Sequence, residues 1–238
     1  MCRWFVGLFI RELAAMAIPK VIYQTFKTND IPWLTKLYIW IFRRKNPAYE
    51  YVFFDDPAVD HFIQTNFSER VYHAYSQLQI GAAKADFFRY AILYKNGGIY
   101  LDLDSDILVN LDKYIFPSDS AVIAREKNHQ NLFAQWGLIF EKEHPFLEKT
   151  IQYMVENIEQ NAFPHDVHAM TGPTVYTRGI EDVMKEHPEV GYRIVDFDYK
   201  GMLQFKYRLG KLLIYRDRKN HWKKLQQRIP VVRTDVKD

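Results

Sequence analysis

The segment that decides the fold is residues 83–112, which read AKADFFRYAILYKNGGIYLDLDSDILVNLD. Apolar residues recur every three or four positions across Leu78–Lys95, and this spacing predicts an amphipathic helix. The sequence Asn-Gly-Gly that follows is typical of a helix end and a turn. Ile99–Asp104 then has the composition of a short strand. A helix, a tight turn and an apolar strand in this order indicate an α/β protein.

Aspartates alternate with apolar residues at the end of this strand. On a continuous strand, Asp102 and Asp104 share one face, and Asp106 extends the row. Two carboxylates at that spacing repel each other by about 2 kcal/mol at an effective dielectric of 20. A hard cation such as Mn²⁺ or Mg²⁺ compensates this repulsion and also binds a diphosphate. From these residues alone, an exposed acidic turn and an aspartyl phosphatase stay open, whereas a calcium loop is excluded because Ile107 and Lys113 replace its glycine and glutamate.

Strand and helix patterns alternate along the chain, which favours a central, mostly parallel sheet flanked by helices. In the first helix, the apolar residues Trp33, Leu37, Trp40 and Ile41 follow one side. The other predicted strands are Ile18–Phe26, Tyr49–Phe54, Ala121–Ala124 and Gly137–Phe140, and the other predicted helices are Pro32–Arg44, Pro145–Ile158 and Val175–Glu186.

Composition and charge narrow the class of protein. With 238 residues, of which 48% are hydrophobic and 26% charged, the chain is globular and not disordered. Its one cysteine, Cys2, excludes an intrachain disulfide and a thiolate zinc site. Residues 200–238 contain 12 Lys and Arg against 3 Asp and Glu, whereas the rest of the chain is net acidic. The basic segment indicates an anionic partner such as phosphate or a lipid surface, with a solvated basic helix as the alternative.

The two ends of the chain are treated as separate from the predicted domain. No segment is apolar enough for a membrane span, and Met1–Ala17 lacks the pattern of a signal peptide. We interpret 1–17 as an amphipathic segment that lies on a membrane or packs on the protein. The predicted organisation is therefore this segment, a globular domain at 18–200, and a basic C-terminal segment at 201–238.

The string at 83–112 resembles the signature of a glycosyltransferase family. The matching pattern is Ala-x-x-x-Asp-x-x-Arg, then Tyr-x-x-Leu, then Gly-Gly-x-Tyr-x-Asp-x-Asp. This is the retaining, Asp-x-Asp family of the fungal initiating α-1,6-mannosyltransferases and the bacterial capsule and lipopolysaccharide sugar transferases. Weaker matches are Ile18–Gln24, with Tyr23 in place of the usual His, the Thr-Gly-Pro at 171–173, and Asn220-His221-Trp222 near the C-terminus.

The resemblance implies a single GT-A-type domain, which is a nucleotide-sugar-binding α/β fold. Its donor site would hold the base and ribose near the first strand, the donor sugar near the helix, and a divalent cation at the aspartates. The residues so implied are Gln24 and Thr25 for base and ribose, Asp86 and Arg89 for the sugar hydroxyls, Asp102, Asp104 and His221 for the cation, and Lys223 for the diphosphate.

The function that follows is a metal-dependent retaining hexosyltransferase in polysaccharide biosynthesis. It would use Mn²⁺ or Mg²⁺ to move a hexose from a nucleotide-diphosphate sugar to a hydroxyl of a glycan or lipid-linked glycan. We expect an anionic membrane surface as a further partner, no nucleic acid, and a cytoplasmic location, peripheral at the cytoplasmic face of the membrane. The alternatives are a metal-dependent phosphatase and a catalytically inactive nucleotide-sugar-binding homologue.

Overall fold

The structure, a computed structural model, describes residues 18–207 and 222–233. The predicted amphipathic segment 1–17, much of the basic C-terminal segment and the candidate ligand His221 lie outside these residues. Over the two described ranges, no helix is long and apolar enough to cross a membrane.

Eight strands and eight helices make up the described part of the chain, together with short 3₁₀ turns at Leu111–Lys113 and Phe197–Tyr199. The strands are β1 Val21–Thr25, β2 Glu50–Phe54, β3 Gly98–Leu101, β4 Asp106–Ile107, β5 Ala121–Ala124, β6 Gly137–Phe140, β7 Arg193–Val195 and β8 Leu203–Gln204. The helices are α1 Trp33–Lys45, α2 Asp56–Asn66, α3 Glu69–Ser76, α4 Gly81–Asn96, α5 Pro145–Glu159, α6 Val167–Met170, α7 Pro173–Glu186 and α8 Trp222–Leu225.

Six strands form a central sheet in the order β2-β1-β3-β6-β5-β7, and β4 pairs with β8 in a separate two-stranded ribbon. In the central sheet β6 runs antiparallel to both β3 and β5, whereas the β1–β2, β1–β3 and β5–β7 pairs are parallel. Five of the six strands therefore point the same way. The predicted α/β class with a mostly parallel sheet is confirmed.

Side chains alternate across this sheet and fill two cores. Tyr23 and Tyr100 face the core that α4, α5 and α7 cover. Their strand neighbours Ile22 and Ile99 face the core on the other side, which α1 and the ribbon cover. Both faces are buried, so the strands are apolar throughout, as expected for a largely parallel sheet.

The glycines that end α4 are required by close packing. Gly97 and Gly98 have φ values of 65° and 106°, which L side chains rarely adopt. A Cβ atom at Gly98 would lie 2.8 Å from the carbonyl oxygen of Val21. The turn thus lets β3 start directly beside β1. The start of β3 in turn sets where its last residue lies relative to β1.

The predicted helix Pro32–Arg44 is confirmed, but its apolar stripe does not face the core. Helix α1 packs through Thr35, Ile39 and Phe42, on the opposite side. Trp33 and Trp40 are exposed. Spacing alone locates a stripe and does not say what covers it.

A buried histidine at the start of α5 makes the stability depend on pH. His144 accepts a hydrogen bond at Nδ1 from the backbone N–H of Phe146 at 3.2 Å, so Nε2 carries the proton and donates to the carbonyl of Gly191 at 3.1 Å. Burial lowers the pKa of His144 to about 4, although the bond to Gly191 favours the charged form. The unfolded chain therefore binds a proton more readily than the folded protein.

We expect the unfolding free energy to fall as the pH drops from about 6.5 towards 4, with about 2 kcal/mol lost through His144. The stability that His144 contributes is fully present above the pKa that this histidine has in the unfolded chain. It is lost when the histidine of the folded protein is protonated. Denaturant titrations at pH 7.5 and 4.5, on the wild type and on His144→Asn, measure the difference. Asn keeps an acceptor for the N–H of Phe146 but does not titrate, so an equal pH dependence of the two proteins would contradict the prediction.

Candidate functional site

A cavity of about 1350 Å³ lies at the carboxyl ends of β1 and β3. Ligands in open α/β sheets bind at this edge of the sheet. Thr25 lines the cavity at the end of β1, Asp86 and Arg89 line it from α4, and Asp102 and Asp104 line it after β3. Lys223, from α8, also lines it, so the structure brings six of the eight predicted site residues to one cavity.

The guanidinium of Arg89 is the centre of a buried hydrogen-bond network. Its Nη2 lies 3.0 Å from Oδ1 of Asp102 and 3.2 Å from Oδ1 of Asp86, and its Nη1 donates to the carbonyl of Gln135 at 3.0 Å. The ring of Tyr100 lies 5.0 Å from the guanidinium carbon. Only 5% of Arg89 is exposed. Burial favours the neutral form of Arg89, but the carboxylates of Asp102 and Asp86 hold its pKa above the usual range.

Asp86 is held in place from three sides. In addition to Arg89, the side chains of Thr171 and Gln135 donate to its two oxygens, each at 3.2 Å. Burial raises the pKa of Asp86 to about 7, and the charge of Arg89 opposes this rise. The carboxylate is therefore fixed in orientation and has little contact with water.

The two aspartates of the Asp-x-Asp motif lie in a turn and not on the strand. Strand β3 ends at Leu101, and the turn closes with a hydrogen bond from the N–H of Ser105 to the carbonyl of Asp102 at 2.9 Å. The predicted strand through Asp104 was therefore two to three residues too long, and the face-sharing argument does not apply. Asp102 and Asp104 still both line the cavity, whereas Asp106 lies in β4 and does not.

The donor set suits a hard divalent cation. The described hydrogen bonds to the carboxylate of Asp102, from Arg89 and Tyr100, both fall on Oδ1. The carboxylates of Asp102 and Asp104 both lie at one cavity. Mg²⁺ and Mn²⁺ are typically held by one or two carboxylates together with substrate phosphates. Among the described residues, no group of three or more His, Cys, Asp or Glu forms a complete protein cage.

Gln24 and Thr25, the two candidate residues from the first strand, differ in their position relative to the cavity. Gln24 is fully buried and does not line the cavity; its Nε2 donates to the carbonyl of Asp102 at 3.2 Å, and its Oε1 accepts from the Tyr51 hydroxyl at 3.1 Å. Gln24 therefore supports the backbone of the Asp-x-Asp turn through its hydrogen bond to Asp102. Thr25 lines the cavity, while its hydroxyl donates to the carbonyl of Phe54 at 2.9 Å.

The C-terminal candidate that the structure describes also lies at the cavity. Lys223, in α8, lines it, and its Nζ lies 5.4 Å from the ring centre of Trp222. Trp222 in turn stacks on His168 at 5.2 Å. Helix α8 is thus attached beside the Thr-Gly-Pro turn.

Several site residues escaped the sequence reasoning because they come from distant segments. Trp136 lines the cavity, stacks on Phe205 at 5.1 Å, and its indole N–H is buried without a hydrogen-bond partner among the described residues. Lys206 also lines the cavity, and its charge lowers the pKa of Asp102, against the larger effect of burial. For Trp136, the one signal in the sequence was the position of this aromatic residue directly before the predicted strand Gly137–Phe140.

Comparisons with known proteins agree with this geometry. Residues 32–127 match the family described as "Glycosyltransferase sugar-binding region containing DXD motif". This match confirms the resemblance inferred from the string at 83–112.

The curated relatives include fungal mannosyltransferases. The chain is 34% identical over 164 residues to "Inositol phosphoceramide mannosyltransferase 3" of Schizosaccharomyces pombe, which covers 66% of this chain and 43% of that protein. It is 27% identical over 215 residues to "Initiation-specific alpha-1,6-mannosyltransferase" of Candida albicans, covering 72% of this chain and 55% of that protein. The chain thus spans about half the length of these relatives.

Among solved structures, the UDP-bound glycosyltransferase domain from the YGT toxin aligns with a TM-score of 0.57 over 82% of each chain, at 10% sequence identity. The likeness is one of fold. The chain has the GT-A fold, with the cavity at the carboxyl edge of its sheet.

Proposed function

We propose that this chain, which has the GT-A fold and carries the DXD sugar-binding region at 32–127, is a glycosyltransferase that takes a hexose from a nucleotide-diphosphate sugar. The proposal depends on one observation: two structural elements contribute side chains to the same cavity. The Asp-x-Asp turn supplies two carboxylates, and α4 supplies the buried pair Asp86 and Arg89. A phosphatase site would need the carboxylates but not a fixed, buried arginine beside them.

The donor is proposed to carry mannose. This rests on the printed names of the two fungal relatives, both mannosyltransferases, while the toxin domain that binds UDP supports a nucleoside-diphosphate carrier. The acceptor is proposed to be a hydroxyl on a glycan or glycolipid, as the name of the inositol phosphoceramide enzyme suggests.

The site would bind Mn²⁺ or Mg²⁺ through Asp102 and Asp104. When bound, such an ion neutralises negative charge that develops on the diphosphate as the sugar–phosphate bond breaks. The chain's own cations, Lys206 and Lys223, line the same cavity and attract the diphosphate. His221, which the resemblance implies as a third ligand, stays a prediction.

The buried network is proposed to orient the donor sugar. Asp86 and Arg89 present charged groups to the cavity, and hydrogen bonds between charged groups and hydroxyls contribute about 1.5–3 kcal/mol each. Because Thr171, Gln135 and Asp102 already hold these groups, they need not reorganise when the sugar binds. We propose retention of configuration, with the acceptor hydroxyl attacking from the face that the diphosphate leaves.

A panel of nucleotide sugars with Mn²⁺, each supplied together with glycan and glycolipid acceptors, tests the proposal. A glycosyltransferase releases the nucleoside diphosphate, fastest from the cognate donor, and this release requires Asp104. Release of inorganic phosphate would indicate the phosphatase, and a thermal shift without turnover would indicate an inactive binder. Either result would contradict the proposed function.

Trp136 provides a prediction specific to donor binding. Its indole N–H is buried and lines the cavity, so a bound donor is expected to accept a hydrogen bond from it. Trp136→Phe removes the N–H but keeps a ring to stack on Phe205. A lost neutral hydrogen bond costs about 0.5–1.5 kcal/mol, so we expect about a threefold to tenfold rise in the Kd for the donor, measured by calorimetry. An unchanged Kd with an unchanged melting temperature would show that the N–H does not contact the donor.

A further inference from the structure

One side of α1 exposes large apolar side chains to solvent. Trp33 is 71% exposed, Leu37 is 41% exposed and Trp40 is 54% exposed. With Arg44 they are spaced by four, three and four residues, so they form one row along the helix. We call these four residues the tryptophan face. It lies opposite Thr35, Ile39 and Phe42, the residues by which α1 packs on the protein.

The charged residues of α1 are all basic. The exposed side chains of Lys36 and Arg43 flank it, and the guanidinium of Arg44 lies over the ring of Trp40 at 4.8 Å. The sequence of α1 contains no aspartate or glutamate. A partner of this face therefore meets apolar rings with positive charge along one side of the row and at its end.

We propose that the tryptophan face docks on an anionic membrane surface. Tryptophan has a large apolar ring and a polar N–H, and it concentrates at the boundary between lipid headgroups and acyl chains. Arginine and lysine beside such rings bind anionic headgroups. A helix of 13 residues with one such side lies in the plane of the interface and does not span the bilayer.

Docking in this way would bring the cavity to the lipid surface. Trp33 and Lys36 belong both to the exposed side of α1 and to the lining of the cavity that holds Asp102 and Asp104. The opening of the cavity would then lie beside the headgroups. This step rests on the proposed function: it identifies the acceptor hydroxyl as one carried by a lipid headgroup.

Vesicle sedimentation tests the docking, with the full chain and without any donor. Vesicles of phosphatidylcholine are compared with vesicles that also contain phosphatidylserine. We expect binding to the anionic vesicles that weakens with added salt. The variant Leu37→Ser/Trp40→Ala changes two residues of the face that do not line the cavity, and it should weaken vesicle binding about tenfold. Arg43→Gln/Arg44→Gln should reduce both the binding and its salt dependence.

A matched control replaces an equally exposed pair at other sites. Phe163 is 38% exposed and Ile194, in the strand at the far edge of the sheet from β2, is 51% exposed. Phe163→Ala/Ile194→Ser should bind vesicles like the wild type. Equal binding by Leu37→Ser/Trp40→Ala and the wild type would overturn the proposal, as would a wild type that binds neither kind of vesicle. Donor binding measured without vesicles is a separate readout, so the docking and the proposed function can fail independently.

Discussion

Replacing Asp104 with asparagine is expected to lower turnover about a thousandfold, which corresponds to about 4 kcal/mol of transition-state stabilisation. Asp104 is 3% exposed and lines the cavity directly after the strand that ends beside Arg89. Asparagine keeps the shape of the side chain but removes the negative charge that would hold a divalent cation. Because asparagine has nearly the same size as aspartate, the melting temperature should change far less than the turnover.

Asp106 is the matched control for this variant. It belongs to the same acidic run and is equally buried, but its Oδ1 accepts from the backbone N–H of Ile107 and it does not line the cavity. Asp106→Asn should therefore keep the wild-type turnover. Chelation should abolish turnover by the wild type, and Asp104→Asn should need more Mn²⁺ to reach half of its maximal rate. Full turnover by Asp104→Asn in the presence of chelator would show that Asp104 does not act by binding a metal ion.

Replacing Arg89 with alanine is expected to destabilise the fold by about 3–5 kcal/mol as well as to remove activity. The substitution leaves the carboxylates of Asp86 and Asp102 in the cavity wall without their cation. The structure gives Arg89 two carboxylate partners, so a structural role accompanies the proposed role in donor binding.

Two further variants separate these roles. Arg70→Ala removes an exposed arginine from its pair with Glu159 and should cost far less stability. The triple variant Arg89→Met/Asp86→Asn/Asp102→Asn also removes the two carboxylates that Arg89→Ala leaves without a cation. It should regain much of the stability lost in Arg89→Ala, without regaining activity. The stability lost in Arg89→Ala should also shrink as the pH falls, because protonation neutralises Asp86 and Asp102. A stable Arg89→Ala at pH 8, measured by denaturant titration, would contradict this account.

The elements predicted best from the sequence are those that local patterns define alone. β5 and β6 have the predicted bounds, and α4 ends at the Asn-Gly-Gly turn as expected. The helices α2 and α3 were not predicted. They are only 11 and 8 residues long, so each offers few repeats of the helical spacing from which to identify a helix.

For the site, the sequence predicted six of the residues that line the cavity, but not the contacts between them. The three-residue spacing of Asp86 and Arg89 is local, and the structure shows that ion pair at 3.2 Å. The contact between Arg89 and Asp102 depends on how α4 packs against the end of β3, which no local pattern encodes. Gln135 and Thr171 reach Asp86 from 49 and 85 residues away, through the β3–β6 pairing and the turn before α7.

That β3–β6 pairing determines which changes of chain length the protein would tolerate. Leu101 pairs with Gly137, and the N–H of Asp102 donates to the carbonyl of Trp136 at 2.8 Å. A slip of one residue would turn every side chain of β6 to the opposite face of the sheet. Insertions are therefore best placed in residues 126–132, ahead of the paired segment. A graft of this candidate site onto another scaffold would have to carry residues 98–104 and 135–140 together with α4.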